Sequence, residues 1–290
     1  MTFVLVMVTA TGWGLSFVAM DRLLMKIGPM QVLAERWLLS ALVFLLVFAV
    51  KGMRIDVRKK NFKYLILTAV LEPAFYSVFE VYGLKYTSPS ISSIFIATIP
   101  CMALLLGILL FHRKSTGTGI LGIALAFLGV LCCTIFSPEF SVSGSMKGYL
   151  LMSLAVIFGA FYSYASAKAG EDYSPMEITA VMAILGAVVY NIICLFMGYG
   201  SSTFTIPARN GILLLCVVFL GVFCSTICYM FFNKVLGYIE PAAANNMIGS
   251  MTTVIGVIAG ILISGDPWGI YTVVGLVLTI SGVLLSSRSE

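Results

Sequence analysis

Glu72, Tyr76 and Glu80 recur every fourth residue within an apolar stretch, so a helix through them carries two carboxylates and a phenol along one side. Phe75 and Phe79 flank that side. An ionisable group in hydrocarbon costs about 2.5–3.5 kcal/mol on insertion scales, so it faces a cavity, a partner or water. Carboxylates framed by aromatic rings suit an organic cation, or the ammonium of a zwitterion, through charge pairing and cation–π contact. Removal from water also disfavours a carboxylate's charged form, which lets it exchange a proton as substrate moves. Glu72 is the candidate for that proton coupling. It lies ten residues past Phe62, where the apolar stretch begins, roughly 15 Å along a helix and hence near the middle of a bilayer. The competing reading makes Glu72 a neutral, hydrogen-bonded packing group and turns the rings to lipid.

Further polar and aromatic positions join this set as candidates for substrate contact. Trp13 and Phe17 stand one helical turn apart, and so do Phe158 and Tyr162 in a later stretch of similar sequence. Rings kept on one helix face in both places would form two walls of a central site. The alternative is the common anchoring of Trp and Tyr at the membrane interface, for which Trp13 lies too deep. Ser93, Asn245 and Asn246 bring side chains that need a partner in hydrocarbon, either another helix or a ligand. Glu35 is a third intramembrane acid, open to a cavity or to a basic partner near the outer surface. Its neighbour Arg36 points about 100° away and does not pair with it by default. Pro73 and Pro100 interrupt their helices and mark hinges or static kinks.

The elements that hold these residues are membrane helices. Hydrophobic residues make up 60% of the 290-residue chain and charged residues 10%, and mean hydropathy is +1.08, too few charges to solvate a soluble domain of this size. A window of roughly 19 residues finds ten apolar stretches. They lie near 2–20, 30–50, 62–84, 89–111, 118–136, 148–168, 176–198, 211–233, 241–263 and 268–286. Breakers punctuate the loops between them, at Gly28-Pro29, Gly52, Ser88-Pro89, Ser137-Pro138, Ser174-Pro175, Pro207, Pro241 and Gly265-Asp266-Pro267. The first stretch lacks the basic start and small-residue cleavage site of a signal peptide, so it counts as a span.

The chain is also written twice. Gly28-Pro29-Met30-Gln31-Val32-Leu33-Ala34 is echoed by Ser174-Pro175-Met176-Glu177-Ile178-Thr179-Ala180, an offset of 146. Leu84-Lys85-Tyr86-Thr87-Ser88-Pro89 is echoed by Leu236-Gly237-Tyr238-Ile239-Glu240-Pro241 at 152, and Trp13-Gly14 by Phe158-Gly159 at 145. Gly122/Gly275 and Gly129/Gly282 match at 153. Residues 1–142 and 143–290 are thus two repeats of five spans. Five is odd, so the second copy enters the membrane inverted relative to the first, a geometry that transporters use. Eleven of the seventeen Lys and Arg fall on one side, six of them from Lys51 to Lys63, with Arg54 among them and Arg288 at the end of the chain. By the positive-inside bias that side, with both termini, is cytoplasmic.

Function classes other than transport find little support. His112, the one histidine, stands beside Arg113 and Lys114 at a turn and reads as a solvated loop residue. All seven cysteines fall inside spans, which argues against a disulfide framework. Cys224 and Cys228 share a helix face, yet with no histidine or second cysteine pair nearby they read as small packing residues rather than metal ligands. An intramembrane enzyme would need a nucleophile–base pair or clustered ligands at depth. A channel would need a polar ring or charged constriction. No Walker-type loop binds ATP, and the net charge of +5 is loop lysine and arginine rather than a nucleic-acid footprint. Thr252, Gly256 and Gly260 form a small-residue stripe for close helix packing, and the glycines of the fifth and tenth stretches read the same way.

The order of motifs resembles the EamA-type branch of the drug/metabolite transporter superfamily across essentially the whole chain. The residues that carry the resemblance are Trp13-Gly14 with Phe17-Val18-Ala19, then Pro29 followed by Leu33-Ala34-Glu35-Arg36-Trp37. They continue with Tyr86-Thr87-Ser88-Pro89-Ser90-Ile91-Ser92-Ser93 leading to Pro100, and with Gly129-Val130 and Gly282-Val283 late in each copy. A Gly-Glu pair commonly follows the fourth helix in that family; His112-Arg113-Lys114 stands in its place here, and Gly265-Asp266-Pro267 in the second copy. The resemblance implies an all-α protein of ten helices in two inverted repeats around a central cavity, with the fifth helix of each copy peripheral. It also implies export of a small metabolite, amino acid or drug-like cation.

The sequence thus predicts a multi-pass protein of the cell membrane, inner or plasma, and not an enzyme. It works as a secondary transporter by alternating access, carrying an organic cation, amine or amino-acid-like metabolite in exchange for protons. An uncoupled facilitator or exchanger for amino acids is the alternative, and a channel a weaker one. Substrate contact is assigned to Trp13, Phe17, Glu72, Tyr76, Phe79, Glu80, Ser93, Phe158, Tyr162, Asn245 and Asn246. The partners are the small-molecule substrate, the lipid bilayer and protons; no cofactor, metal or nucleic acid is called for, and a monomer suffices.

Overall fold

A computed structural model describes residues 2–52, 55–111, 116–137 and 145–287. Nine of its helices are long and apolar enough to cross a membrane. They are α1 Phe3–Leu24, α2 Pro29–Lys51, α3 Phe62–Lys85, α4 Pro89–Leu110, α5 Gly117–Ile135, α6 Met146–Ala169, α7 Pro175–Phe196, α8 Gly211–Leu236 and α9 Pro241–Ser264. A shorter apolar helix, α10 Ile270–Ser286, completes ten, each within a few residues of its expected place. Arg54, His112, Arg113, Lys114, Pro138, Arg288 and the junction at 142/143 lie outside the described residues.

The echoed motifs turn out to be helix starts. Pro175 opens α7 in its first turn, where a missing N–H costs nothing, and Ser174 caps it by accepting from the Glu177 N–H at 3.3 Å. The Glu177 carboxylate returns the bond to the Ser174 N–H at 2.8 Å, closing a capping box. In the first copy Gln31 accepts from the Gly28 N–H at 2.8 Å ahead of Pro29. Ser174→Ala is expected to cost about 1 kcal/mol, read as a lowered midpoint of thermal unfolding in detergent.

Three spans are irregular in their interior. In α3 the chain widens to π-helical turns over Val70–Phe75, and Glu72 leaves helical geometry altogether at φ −134, ψ 119. Pro73 supplies no N–H there, and its ring is incompatible with a continuous helix. The Glu72 carboxylate then caps the resumed helix through the Ser77 N–H at 3.0 Å. In α8 similar wide turns run over Phe219–Cys228. Helix α4 breaks between Ile96 and Ile99, and Pro100 falls in the first turn of its second half, which is where a proline fits.

Polarity is reversed relative to a soluble domain. Glu35, Arg36, Glu72 and Glu80 are each 5% exposed or less, whereas Leu46, Leu195 and Leu262 are 66%, 72% and 77% exposed. Apolar exterior and polar interior suit a lipid solvent.

The two halves meet in reciprocal contacts. On α5 and α10, a Cβ placed on Gly122 would lie 2.7 Å from the Gly282 carbonyl oxygen, and one on Gly129 would lie 2.6 Å from that of Gly275. Rising numbers on one helix meet falling numbers on the other, so these equivalent helices run antiparallel. A second reciprocal pair of contacts occurs where Gly14 of α1 approaches Thr252 of α9 and Gly159 of α6 approaches Ile99 of α4, because Gly14 and Gly159, like Ile99 and Thr252, are equivalents. The ten helices form two inverted five-helix repeats.

Two further ties, one at each end of the packed α2–α7 pair, join the repeats. Tyr173 donates to the Asp56 carbonyl at 2.7 Å, and Lys59 reaches the Asp172 carbonyl at 2.9 Å and the Glu177 carboxylate at 3.5 Å. In this loop the Lys168 ammonium, 2.8 Å away, holds the Glu171 carboxyl below the usual carboxylate range. At the opposite end Gln31 donates to Ser202 and Thr203, both at 3.4 Å.

Candidate central cavity

A cavity of about 660 Å³, its open mouth included, occupies the centre of the bundle. Trp13, Ser16 and Phe17 of α1, Arg36 of α2, Tyr76 and Glu80 of α3, and Ile96 and Ile99 of α4 line one part of it. Gly159, Tyr162 and Ser163 of α6, Tyr229 and Phe232 of α8, and Asn245, Ile248, Gly249 and Thr252 of α9 line the rest. Helices α5, α7 and α10 supply no lining residue. At the face where α1 and α9 end and α4 begins, Arg22 donates to the Ile263 carbonyl at 2.7 Å and Asp266 accepts from the Ser90 N–H at 2.8 Å.

The cavity wall carries one charge of each sign. Arg36 and Glu80 approach to 3.8 Å, longer than the 2.7–2.9 Å typical of a closed charge-assisted hydrogen bond. Tyr76 donates to the other oxygen of Glu80 at 2.9 Å, the four-residue spacing expected of an intact helix. The Arg36 Nε donates to Ser225 at 2.9 Å, which fixes the plane of the guanidinium. Both charged side chains are buried from bulk water yet border the cavity.

Glu72 is not on that wall. The expected stripe of Glu72, Tyr76 and Glu80 requires an unbroken helix, and the π-helical turns at Pro73 shift Glu72 out of line. Its carboxylate accepts from the Ser77 hydroxyl at 2.6 Å, from the Ser77 N–H and from the Tyr229 hydroxyl. Tyr229 does border the cavity, so it stands between the space and the acid.

Of the residues assigned to substrate contact, Trp13, Phe17, Tyr76, Glu80, Tyr162 and Asn245 come together around the cavity. Trp13 meets Tyr229 and Phe232 edge-on, each at 5.1 Å, and Tyr162 lies 6.0 Å from Phe232. Asn245 donates to Ser163 at 2.8 Å. The other residues of that set sit elsewhere. Phe158 stacks on Phe75 at 4.8 Å and on Phe79 at 5.4 Å, between α3 and α6 and away from the cavity. Ser93 donates to the Pro89 carbonyl at 2.7 Å and packs against Gly256, which uses the small-residue stripe for the α4–α9 contact. Asn246 donates to the Val283 carbonyl of α10 at 3.3 Å, bonding helix to helix. Glu35 is buried off the cavity with one carboxylate oxygen unpartnered.

Sequence reading passed over Arg36, Tyr229 and Phe232 as site residues. The repeat holds the signal for two of them, since an offset of 153 carries Tyr76, Phe79 and Glu80 onto Tyr229, Phe232 and Asn233. The acid of the first copy is thereby an amide in the second. Asn233 accepts from Tyr162 and Ser166, each at 2.7 Å, and donates to Thr179 at 2.9 Å. Cys224 and Cys228 are buried against α1, with their thiols toward the Gly12 and Val8 carbonyls. Among the described residues no cluster of three or more metal-ligating side chains occurs.

Comparison with known proteins places this architecture. The transporter YcxC of Bacillus subtilis, described as uncharacterized, is 27% identical over 94% of this chain and 88% of its own length. An uncharacterized transporter of Archaeoglobus fulgidus is 24% identical over 99% of both chains. A chain of known crystal structure superposes with a TM-score of 0.69 over 99% of this chain and 96% of its own, at 13% identity, a likeness of fold alone. The sequence profile of the EamA-like transporter family matches residues 1–135 and then again residues 146–288, once per five-helix repeat. The chain is an integral multi-pass membrane protein that belongs to the EamA-like transporter family.

Proposed function

We propose that the protein is a secondary transporter that exports a small organic amine or amino-acid-like metabolite by alternating access, with protons as the coupling ion. The observation that carries this reading is the central cavity, walled by Trp13, Tyr162, Tyr229 and Phe232 and bearing Glu80 and Arg36 on its surface. Aromatic faces and a carboxylate together favour an ammonium group. Inverted repeats around a central site allow one half to rock against the other, alternately exposing the site to each side. The Arg22–Ile263 and Asp266–Ser90 bonds would then have to part as substrate passes that face. The lysine and arginine bias puts both termini in the cytoplasm, and the coupling role falls to Glu72, which Tyr229 links to the cavity.

The uncoupled alternative, a facilitator or exchanger for amino acids, draws support from the three hydrogen bonds that already satisfy Glu72. Both readings place the substrate in the same cavity, and Gly249 offers a direct test of that. A Cβ on Gly249 would meet nothing within 4 Å, so a new side chain starts in open space at the cavity wall. In proteoliposomes, Gly249→Leu is expected to cut counterflow of amines and amino acids by roughly tenfold or more, because it fills the space the ligand needs. Thermal stability should stay near that of the parent. Undiminished counterflow in a folded Gly249→Leu protein would rule out this cavity as the route.

A further inference from the structure

Arg36 and Glu80 are an incompletely closed pair. Their 3.8 Å separation leaves each with capacity for a second partner, and both face the same space. A guanidinium offers five N–H donors. Arg36 spends Nε on Ser225 at 2.9 Å and points one terminal nitrogen toward the Met20 sulfur at 3.5 Å, a weak acceptor. Glu80 has one oxygen engaged by Tyr76 at 2.9 Å, while the other makes only the long contact to Arg36. Each head is thus held in place by a neutral hydroxyl, and each keeps atoms turned to the cavity.

Resting on the transport reading above, we propose that Arg36 and Glu80 are the two poles of a zwitterion site: Arg36 takes the substrate's carboxylate and Glu80 its ammonium. The two groups of an α-amino acid are borne by one carbon, a spacing that lets one molecule insert alongside a pair only 3.8 Å apart and place opposite charges against each pole. Such a substrate leaves the net charge of the site unchanged. A simple amine gains Glu80 but meets Arg36 with a charge of the same sign, and a simple acid meets Glu80 in the same way. The site therefore selects for the presence of both groups on one molecule, with the aromatic rings of Trp13, Tyr229 and Phe232 accepting the side chain. Ser225 and Tyr76 are positioning residues that hold the two poles.

The test uses matched trios: phenylalanine with phenethylamine and 3-phenylpropionate, and leucine with 3-methylbutylamine and 4-methylpentanoate. Binding of each to the purified full chain in nanodiscs is measured by calorimetry. The wild type should prefer each amino acid to its amine and its acid by at least about tenfold, because a site built to pair a charged group rejects an analogue lacking it. Arg36→Gln should move the ratio of amino acid to amine toward the amine by a similar factor, whereas a merely structural role would weaken both alike. Arg36→Lys, which keeps the charge, should retain part of the preference. The double variant Arg36→Gln, Glu80→Gln removes both charges and so leaves neither buried without its counter-charge; it guards against misfolding of the single variants and should discriminate poorly within each trio. An amine that binds as well as its amino acid, or a ratio unmoved in Arg36→Gln, overturns the zwitterion site while leaving transport through the cavity intact. Binding of none of the six compounds overturns the zwitterion site and the proposed substrate class together.

Discussion

Replacing Glu72 with Gln is expected to abolish substrate accumulation driven by an imposed pH gradient, while leaving downhill exchange in place. Glutamine keeps the size of the side chain and, through its carbonyl oxygen, the bonds from the Ser77 and Tyr229 hydroxyls; it forfeits the one from the Ser77 N–H and cannot give up or take a proton. The surroundings explain why the change is decisive. Arg36 of α2, Tyr76 and Glu80 of α3, Tyr162 of α6, Tyr190 of α7 and Tyr229 of α8 are the charged or titratable groups that act on or adjoin Glu72. Among the described residues Tyr229 is the hydrogen-bond partner of Glu72 that also borders the cavity, so a proton exchanged between the cavity and Glu72 would pass beside that hydroxyl. The measurement is uptake into proteoliposomes with a pH step and no substrate gradient. If the Gln variant concentrates substrate as well as the parent does, Glu72 has no coupling role; if the parent itself fails to concentrate substrate, the uncoupled reading stands.

A second large effect is expected far from the cavity. In Gly129→Leu the new Cβ would fall 2.5 Å from the Thr279 backbone nitrogen and 2.6 Å from the Gly275 carbonyl oxygen. These are backbone atoms of α10 and cannot rotate aside, so the helices must separate along the seam. Overpacking of this kind costs about 3 kcal/mol or more where backbone has to move. Loss of the monodisperse peak in size-exclusion chromatography, with a fall in thermal midpoint, is the readout. Gly117→Ala on the same helix should leave both unchanged, since its Cβ would meet nothing within 4 Å.

How far the sequence could be read depended on the range of each signal. Hydropathy and repeat offsets are summed over many residues, so the ten spans came out within a few residues and the inversion followed from an odd count. Short-range spacing served where the helix stayed regular: Tyr76 and Glu80 bond as expected at four residues apart. It misplaced Glu72, because a proline and a stretch of π-helical turns alter the phase of α3 in a way that no fixed period captures. Arg36 escaped because its partner lies 44 positions along the chain on another helix, and pairing at that distance leaves no local pattern. Phe158 shows a different difficulty. It is the true counterpart of Trp13, and each packs on the matching ring of its own neighbour, Phe79 or Phe232. The cavity is lined by Trp13 and Phe232 but by neither Phe158 nor Phe79, so only one of the two aromatic pairs faces it.

The antiparallel glycine seam also supplies a ruler for depth. An axis that exchanges Gly122 with Gly275 and Gly129 with Gly282 must pass between α5 and α10 midway along those glycines, beside Ala126 and Thr279, whose hydroxyl donates to the Ala126 carbonyl at 3.5 Å. A pseudo-dyad lying in the membrane plane belongs at the centre of the lipid, equidistant from both headgroup layers. A bilayer centred on this dyad would have its midplane beside Ala126 and Thr279, and water reaching that level would do so through the protein.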